Sequence, residues 1–422
     1  MQKTILALAG VITVALSSCV PTNNTIDTTD VQSSLPSLQY GSINFALEMF
    51  RVLHAGSTTS DNLFFSPVSV WTALVTIYEG SRHQTAKELA EVLGITNTSP
   101  AILPSALAAF LRSCKGCREG DQSDLKMANR IYFQEDLEFK LCNQQLQEII
   151  HKIDFKSDPE KARTIINDYV EGETNGKIQE LIPPNSVSPL TQMIIANAVY
   201  FKGIWRNKFH PSMTRQVRFQ QDRESVLSVP MMNTMGTYYY SVSDQMDCQA
   251  LEIPYTSDGI NMLILLPKHS FRGLDTLART ISPERLEALL NSMASREVLV
   301  SIPKFKVEQQ YELAKPLQKM GLRNLFDPRF SDLSGFTGSR LNLDAIHHKS
   351  YIKVNEEGTE AAAATAFVIS RTGTHDTGIT RFYADRPFLY FIRDSRSNNL
   401  LFVGTVKSPH YSEESQRTQG DF

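Results

Sequence analysis

Residues 354 to 373 constrain this chain most. They read Val354-Asn355-Glu356-Glu357-Gly358-Thr359-Glu360, then four consecutive alanines, then Thr365-Ala366-Phe367-Val368-Ile369-Ser370-Arg371-Thr372-Gly373. At period two, one face carries Thr359, Ala361, Ala363, Thr365, Phe367 and Ile369. The other carries Glu360, Ala362, Ala364, Ala366, Val368 and Ser370. One face is small and then apolar, and the other holds the only charge, which suits a strand buried on one side. Composition alone favours a helix, because alanine is the best helix former. Two features argue against a permanent helix: the run passes into β-branched residues, and Ser-Arg-Thr-Gly-Thr-His-Asp-Thr-Gly is loop chemistry.

A chain of 422 residues can bury a large core, and a net charge of −3 gives no electrostatic footprint for nucleic acid. Lys3 followed by the apolar run Ile5 to Leu16 has the form of a targeting segment, too short to span a membrane. It closes on Leu16-Ser17-Ser18-Cys19, which resembles the lipobox of bacterial lipoproteins, with a plain secretory signal as the other reading. On the lipobox reading, residues 1–18 are removed, Cys19 is lipidated, and residues 19–38 form a flexible polar tether. Four further cysteines stand at 114, 117, 142 and 248. Cys114-Lys-Gly-Cys117 lacks a second pair at zinc spacing, so two loop cysteines, either free or joined in a disulfide, are the expectation and no metal site is.

Along the chain, a helix is expected from Gln39 with Ile43, Ala46, Leu47 and Phe50 on one face. Ser66-Pro67 reads as a capped helix start. Further helices are expected over Thr85–Leu93, Glu160–Glu173, Pro283–Ser292 and Glu312–Met320. Strands are expected over Leu125–Phe133, from Met193 to a turn at Lys202-Gly203, in short pieces from Val226 to Pro267, and over Val298–Phe305. Pro387–Ile392 and Leu400–Val406 end the set. Asn197 lies inside an apolar run and needs partners if buried. No internal repeat or linker divides residues 39–410, which read as one α+β domain. The polar end, 411–422, reads as a disordered tail.

Val354 through Thr365 resembles the hinge of the reactive-centre loop of the serpins, the serine protease inhibitor superfamily. Seven other stretches resemble serpin motifs in order: Phe65-Ser66-Pro67-Val-Ser69, Asn197 to Trp205, Val229-Pro-Met-Met232, Ile302-Pro-Lys-Phe305, Asp332-Leu-Ser-Gly335, Arg386-Pro-Phe388 and Phe402-Val-Gly404. The resemblance implies a single-domain fold with three β-sheets, about eight or nine helices and an exposed reactive-centre loop over about 356–386. It implies a hinge at Glu356, Gly358, Thr359, Ala361, Ala362, Ala363 and Ala364. It maps Ser66, Ser69, Asn197 and His348 onto a polar shutter beneath the main sheet, and Trp205 onto the breach where the hinge enters. Seventeen residues counted from Glu356 reach Thr372, giving Thr372–Gly373 as the scissile bond. A cut one residue earlier makes Arg371 the bait, in the bond Arg371–Thr372. Thr372 suits elastase-like proteases and Arg371 trypsin-like ones.

The resemblance further implies an inhibitor, not an enzyme, acting as a monomer without a cofactor. Its partner is a serine protease, with cysteine proteases as a further class. The lipid anchor would hold it on the membrane of the bacterial envelope or cell surface; otherwise it is secreted. No basic cluster indicates a heparin-type site. Two alternatives stand beside this. A non-inhibitory serpin is disfavoured by a hinge of alanines without proline. A hydrolase built on Ser66 and His348 is disfavoured because no Gly-x-Ser-x-Gly elbow surrounds any serine.

Overall fold

The computed structural model describes residues 28–99, 101–114, 124–139, 149–269, 272–359 and 379–411. Eight α-helices occur among them: α1 Thr28–Ala55, α2 Pro67–Gly80, α3 His83–Leu93, α4 Leu103–Cys114, α5 Pro159–Glu173, α6 Gly273–Thr280, α7 Pro283–Ser292 and α8 Ala314–Met320. None is long and apolar enough to cross a membrane.

The fold is α+β, and its strands form two hydrogen-bonded sheets. The larger contains β1 Leu63–Phe65, β5 Arg215–Gln220, β6 Val226–Ser243, β7 Cys248–Pro254, β8 Ile260–Pro267, β9 Ala294–Pro303, β13 Thr380–Tyr383, β14 Phe388–Asp394 and β15 Asn399–Val406. The smaller runs β10 (Phe305–Glu312), β11 (Ala345–Asn355), β12 (Gly358–Thr359), β4 (Met193–Ile204), β2 (Asp124–Gln134), β3 (Ile150–Ile153). The expected second and third sheets share one long strand. β6 pairs β9 through Met231–Tyr240 and β7 through Tyr239–Ser243, so hydrogen bonding runs through both.

Several helices stop and start on local chemistry. Asp158 accepts from the Lys161 N–H at the head of α5, with Pro159 at its first position. Ser282 does the same for α7 through the Arg285 N–H. Gly94 ends α3 with φ 68°, a left-handed cap.

Three expectations are corrected. The first helix begins at Thr28, not Gln39, and runs through Pro36. Leu38 is buried, and Val31 and Leu35 pack on the core, so this part of the polar segment has a helical apolar face after all. β4 continues through Lys202-Gly203 without turning. Gly203 serves packing instead: a Cβ there would lie 2.6 Å from the Tyr255 ring and 2.8 Å from that of Phe201. Ser66 takes the N-cap position of α2, but its hydroxyl makes no capping bond.

β4 has two buried faces. Met193, Ile195, Val199 and Phe201 join the main core with α1 and α2. Ile194, Ala196, Ala198 and Tyr200 join a second core under α5, with Ala162, Ile166 and Val170. A strand buried on both faces reads as the near-continuous apolar run observed in the sequence.

Candidate functional site

A directional chain of hydrogen bonds crosses the centre of the smaller sheet. The Ser66 N–H donates to His348 Nε2 at 3.1 Å. That contact leaves the ring proton on Nδ1, which donates to Asn197 Oδ1 at 2.6 Å. Asn197 Nδ2 donates to Ser69 Oγ at 2.5 Å, and Ser69 Oγ donates to Asn129 Oδ1 at 2.9 Å. One relay therefore joins α2, β11, β4 and β2. It also satisfies the amide of Asn197, which has no exposure. Tyr311 stacks on His348 with ring centroids 6.1 Å apart. Burial lowers His348 to about 3 and its neighbour His347 to about 4, so both rings are neutral. Ser66, Ser69, Asn197 and His348 thus meet in one cluster.

The same geometry forms no nucleophile–base pair. Ser66 reaches His348 through its main chain, and Nδ1 faces an amide rather than a carboxylate.

At the end of β11 the chain turns through Glu356-Glu357 into β12. Asn355 Oδ1 accepts from the Glu357 and Gly358 N–H groups and shapes the turn. β12 then lies antiparallel between two strands: Thr359 pairs Val354 on β11 and Gly203 on β4. Gly358 adopts φ +147°, and a Cβ there would lie 2.0 Å from the Gly203 carbonyl oxygen. No other residue fits this position without moving the backbone. Beyond β12, β11 and β4 pair directly and in parallel, from Ala345↔Ile194 to Tyr351↔Tyr200.

The turn is fastened on every side. Trp205, fully buried, stacks on Tyr255 at 4.4 Å and donates its indole N–H to Asn355 O at 3.0 Å. The Trp205 main-chain N–H donates to Glu357 O at 2.9 Å, and the Phe209 N–H to Glu356 O at 2.8 Å. Lys304 Nζ sits 3.1 Å from Glu356 Oε2, and Thr214 Oγ1 donates to Oε1 at 2.7 Å. Burial pushes the Glu356 carboxyl up, but the bonds from Thr214, its own main chain and Lys304 outweigh this and hold it below the ordinary value. Trp205, Glu356, Gly358 and Thr359 therefore share one corner of the sheet.

Ala361, Ala362, Ala363, Ala364, Arg371, Thr372, Gly373 and Cys19 lie outside the described residues. Sequence reasoning missed Asn129, Thr214 and Lys304. Lys304 falls within the quoted Ile302–Phe305 stretch, so its position was in view and only its partner was not. Among the described residues, no group of three or more His, Cys, Asp or Glu could hold a metal ion.

A family model described as Serpin (serine protease inhibitor) matches residues 41–409. Over 373 residues the chain is 35% identical to Serpin B6 of Pongo abelii, covering 86% of this chain and 97% of that protein. It is 34% identical over 387 residues to the leukocyte elastase inhibitor of Equus caballus, covering 88% and 99%. The structure of uncleaved ovalbumin aligns with a TM-score of 0.77 at 27% identity, over 88% of this chain and 100% of that one.

Proposed function

Since the chain belongs to the serpin family, we propose that it is a suicide inhibitor of serine endopeptidases, with cysteine proteases as a further target class. The observation that carries this reading is the β11–β4 seam below β12, where the two strands pair directly and in parallel. The hinge already occupies the top of it, and the four alanines come next in the chain.

Continuing the register of β12 pairs Ala361 with Phe201 and Ile352, Ala363 with Val199 and Ser350, and Thr365 with Asn197 and His348. On the other face, Ala362 meets Tyr200 and Tyr351, whose rings now lie 5.9 Å apart. Small side chains suit a gap that opens by one strand's width, about 4.8 Å. Thr365 would arrive between Asn197 and His348. Its hydroxyl, donor and acceptor at once, could take up the two groups that parting β4 from β11 deprives of each other. The polar relay then works as a shutter, exchanging one set of partners for another.

Insertion replaces a parallel ladder by two antiparallel ones. Parallel pairing is slightly less stable per residue, and each new hydrogen bond contributes about 0.5–1.5 kcal/mol net. The uncleaved state is metastable for that reason. In the proposed sequence, the protease attacks after Thr372 or Arg371 and forms an acyl-enzyme. The freed hinge inserts and carries the enzyme with it. A misplacement of about 1 Å in the enzyme's active site costs on the order of 10²-fold in rate, so the ester persists. Likeness to a leukocyte elastase inhibitor and a threonine at position 372 together support elastase-like targets.

Mixing the protein with elastase-type and trypsin-type proteases tests the reading. An SDS-stable covalent complex is expected, with a released fragment beginning at Gly373, or at Thr372 if Arg371 is the bait. Clean cleavage without complex would instead mean a non-inhibitory member, and ester turnover an enzyme.

A further inference from the structure

The C-terminal end of the described chain returns to the hinge. The Lys306 N–H donates to His410 O at 2.8 Å, which lays residues 410 and 411 along the start of β10. Tyr411 then places its ring over Lys304, with Nζ 4.2 Å from the centroid. Lys353 on β11 points at the same ring from 5.5 Å. Lys304 is the cation paired with Glu356, and the side chains of that pair are each only 11% exposed. Lys304 is thus held between a carboxylate on one side and an aromatic face on the other. Lys353 precedes the hinge turn by only a few residues, so the ring touches both the strand that launches the hinge and the latch that holds its first turn.

We propose that Tyr411 is a positioning residue for hinge insertion. It keeps Lys304 against Glu356 and so sets how often the Glu356-Glu357 turn lets go. The idea rests on the reading of this hinge as one that inserts, and supplies its regulation. A lysine stem has four rotatable bonds and loses much freedom when its head is fixed. The ring limits where that head can go and shields the ion pair from water, which strengthens it. Changes at Tyr411 therefore reach the hinge turn through Lys304.

Amide hydrogen exchange on the full chain reads the latch directly. The Trp205 and Phe209 N–H groups donate to Glu357 O and Glu356 O, so they exchange only when the turn opens. Tyr411→Leu is expected to speed exchange at both by about two- to fivefold, and Tyr411→Phe, which keeps the face, to leave it at the parental rate. In a Lys304→Met/Glu356→Gln background, which buries no unpaired charge, Tyr411→Leu should add nothing. Exchange at Lys306 reports loosening of the C-terminal end alone. If Tyr411→Leu speeds Lys306 but not Phe209, or acts equally in the doubly substituted background, the proposal is overturned. If the latch behaves as stated but the parent is merely cleaved by proteases, the inhibitor reading fails and the latch stands.

Discussion

At the scale of single residues, His348 ties the sheet's integrity to pH. Its folded value is about 3 and its unfolded value about 6.5. As pH falls below about 6.5, the unfolded chain takes up a proton that the buried ring refuses. Stability is therefore full above that point and is lost as pH falls toward 3, and His347 acts with the same sign down to about 4. Each ring costs about 1.4 kcal/mol per pH unit within its window. Denaturant midpoints should hold from pH 7.5 to about 6.5 and then fall toward pH 5, ahead of ordinary carboxylate titration, and His347→Gln should reduce the slope. A flat profile would contradict the buried neutral pair. Part of this scale could be read in advance: Asn197 is an amide inside an apolar run, while Ser66, Ser69 and His348 came only from the serpin resemblance. Asn129 was not, because its partner is sixty residues away and local pattern carries no record of such a pairing. Thr214 and Lys304 escaped for the same reason.

At the scale of elements, the proposed mechanism has the hinge strand decide function without deciding fold. Burying an unpaired charge is expensive, so Thr359→Arg, at a residue already paired with both β11 and β4, should loosen the start of the inserted strand and oppose its extension. Ala363→Pro would remove a ladder donor in mid-strand, where proline is excluded. Both variants are expected to fold, to be cut at the parental bond, and to lose the SDS-stable complex. Covalent complexes from Thr359→Arg at the parental yield and rate would refute insertion as the mechanism. Helices with cap chemistry, such as α5 and α7, were legible almost to the residue. β4 was not, because Lys202-Gly203 has turn composition and only the Tyr255 and Phe201 rings show why glycine stands there. The head of α1 was hidden by Pro36 and by polar neighbours, although Val31, Leu35 and Leu38 carry the helical spacing.

At the scale of the whole molecule, the domain follows an N-terminal stretch ending in Leu16-Ser-Ser-Cys19, outside the described residues, which we propose is a lipoprotein targeting segment. Cys19→Ser tests anchoring: on fractionation the variant should leave the membrane pellet, and a variant as membrane-bound as the parent would contradict lipidation. The overall architecture was legible because motifs spread along the chain agreed in order. The sharing of β6 between two layers was not, since hydropathy marks strands but not which neighbours they choose. The fastened turn at Glu356-Glu357 has one more consequence. A strand that fills its slot from a tethered end closes like a zip, in one sense only, with no second place to begin. The distance it hauls is set by the rise of an extended backbone: Thr359 to Ile369 covers about 35 Å. On the proposed mechanism, a protease esterified beyond that end would ride the length of the sheet, and the duration of the ride would be a stopwatch running against hydrolysis of the ester.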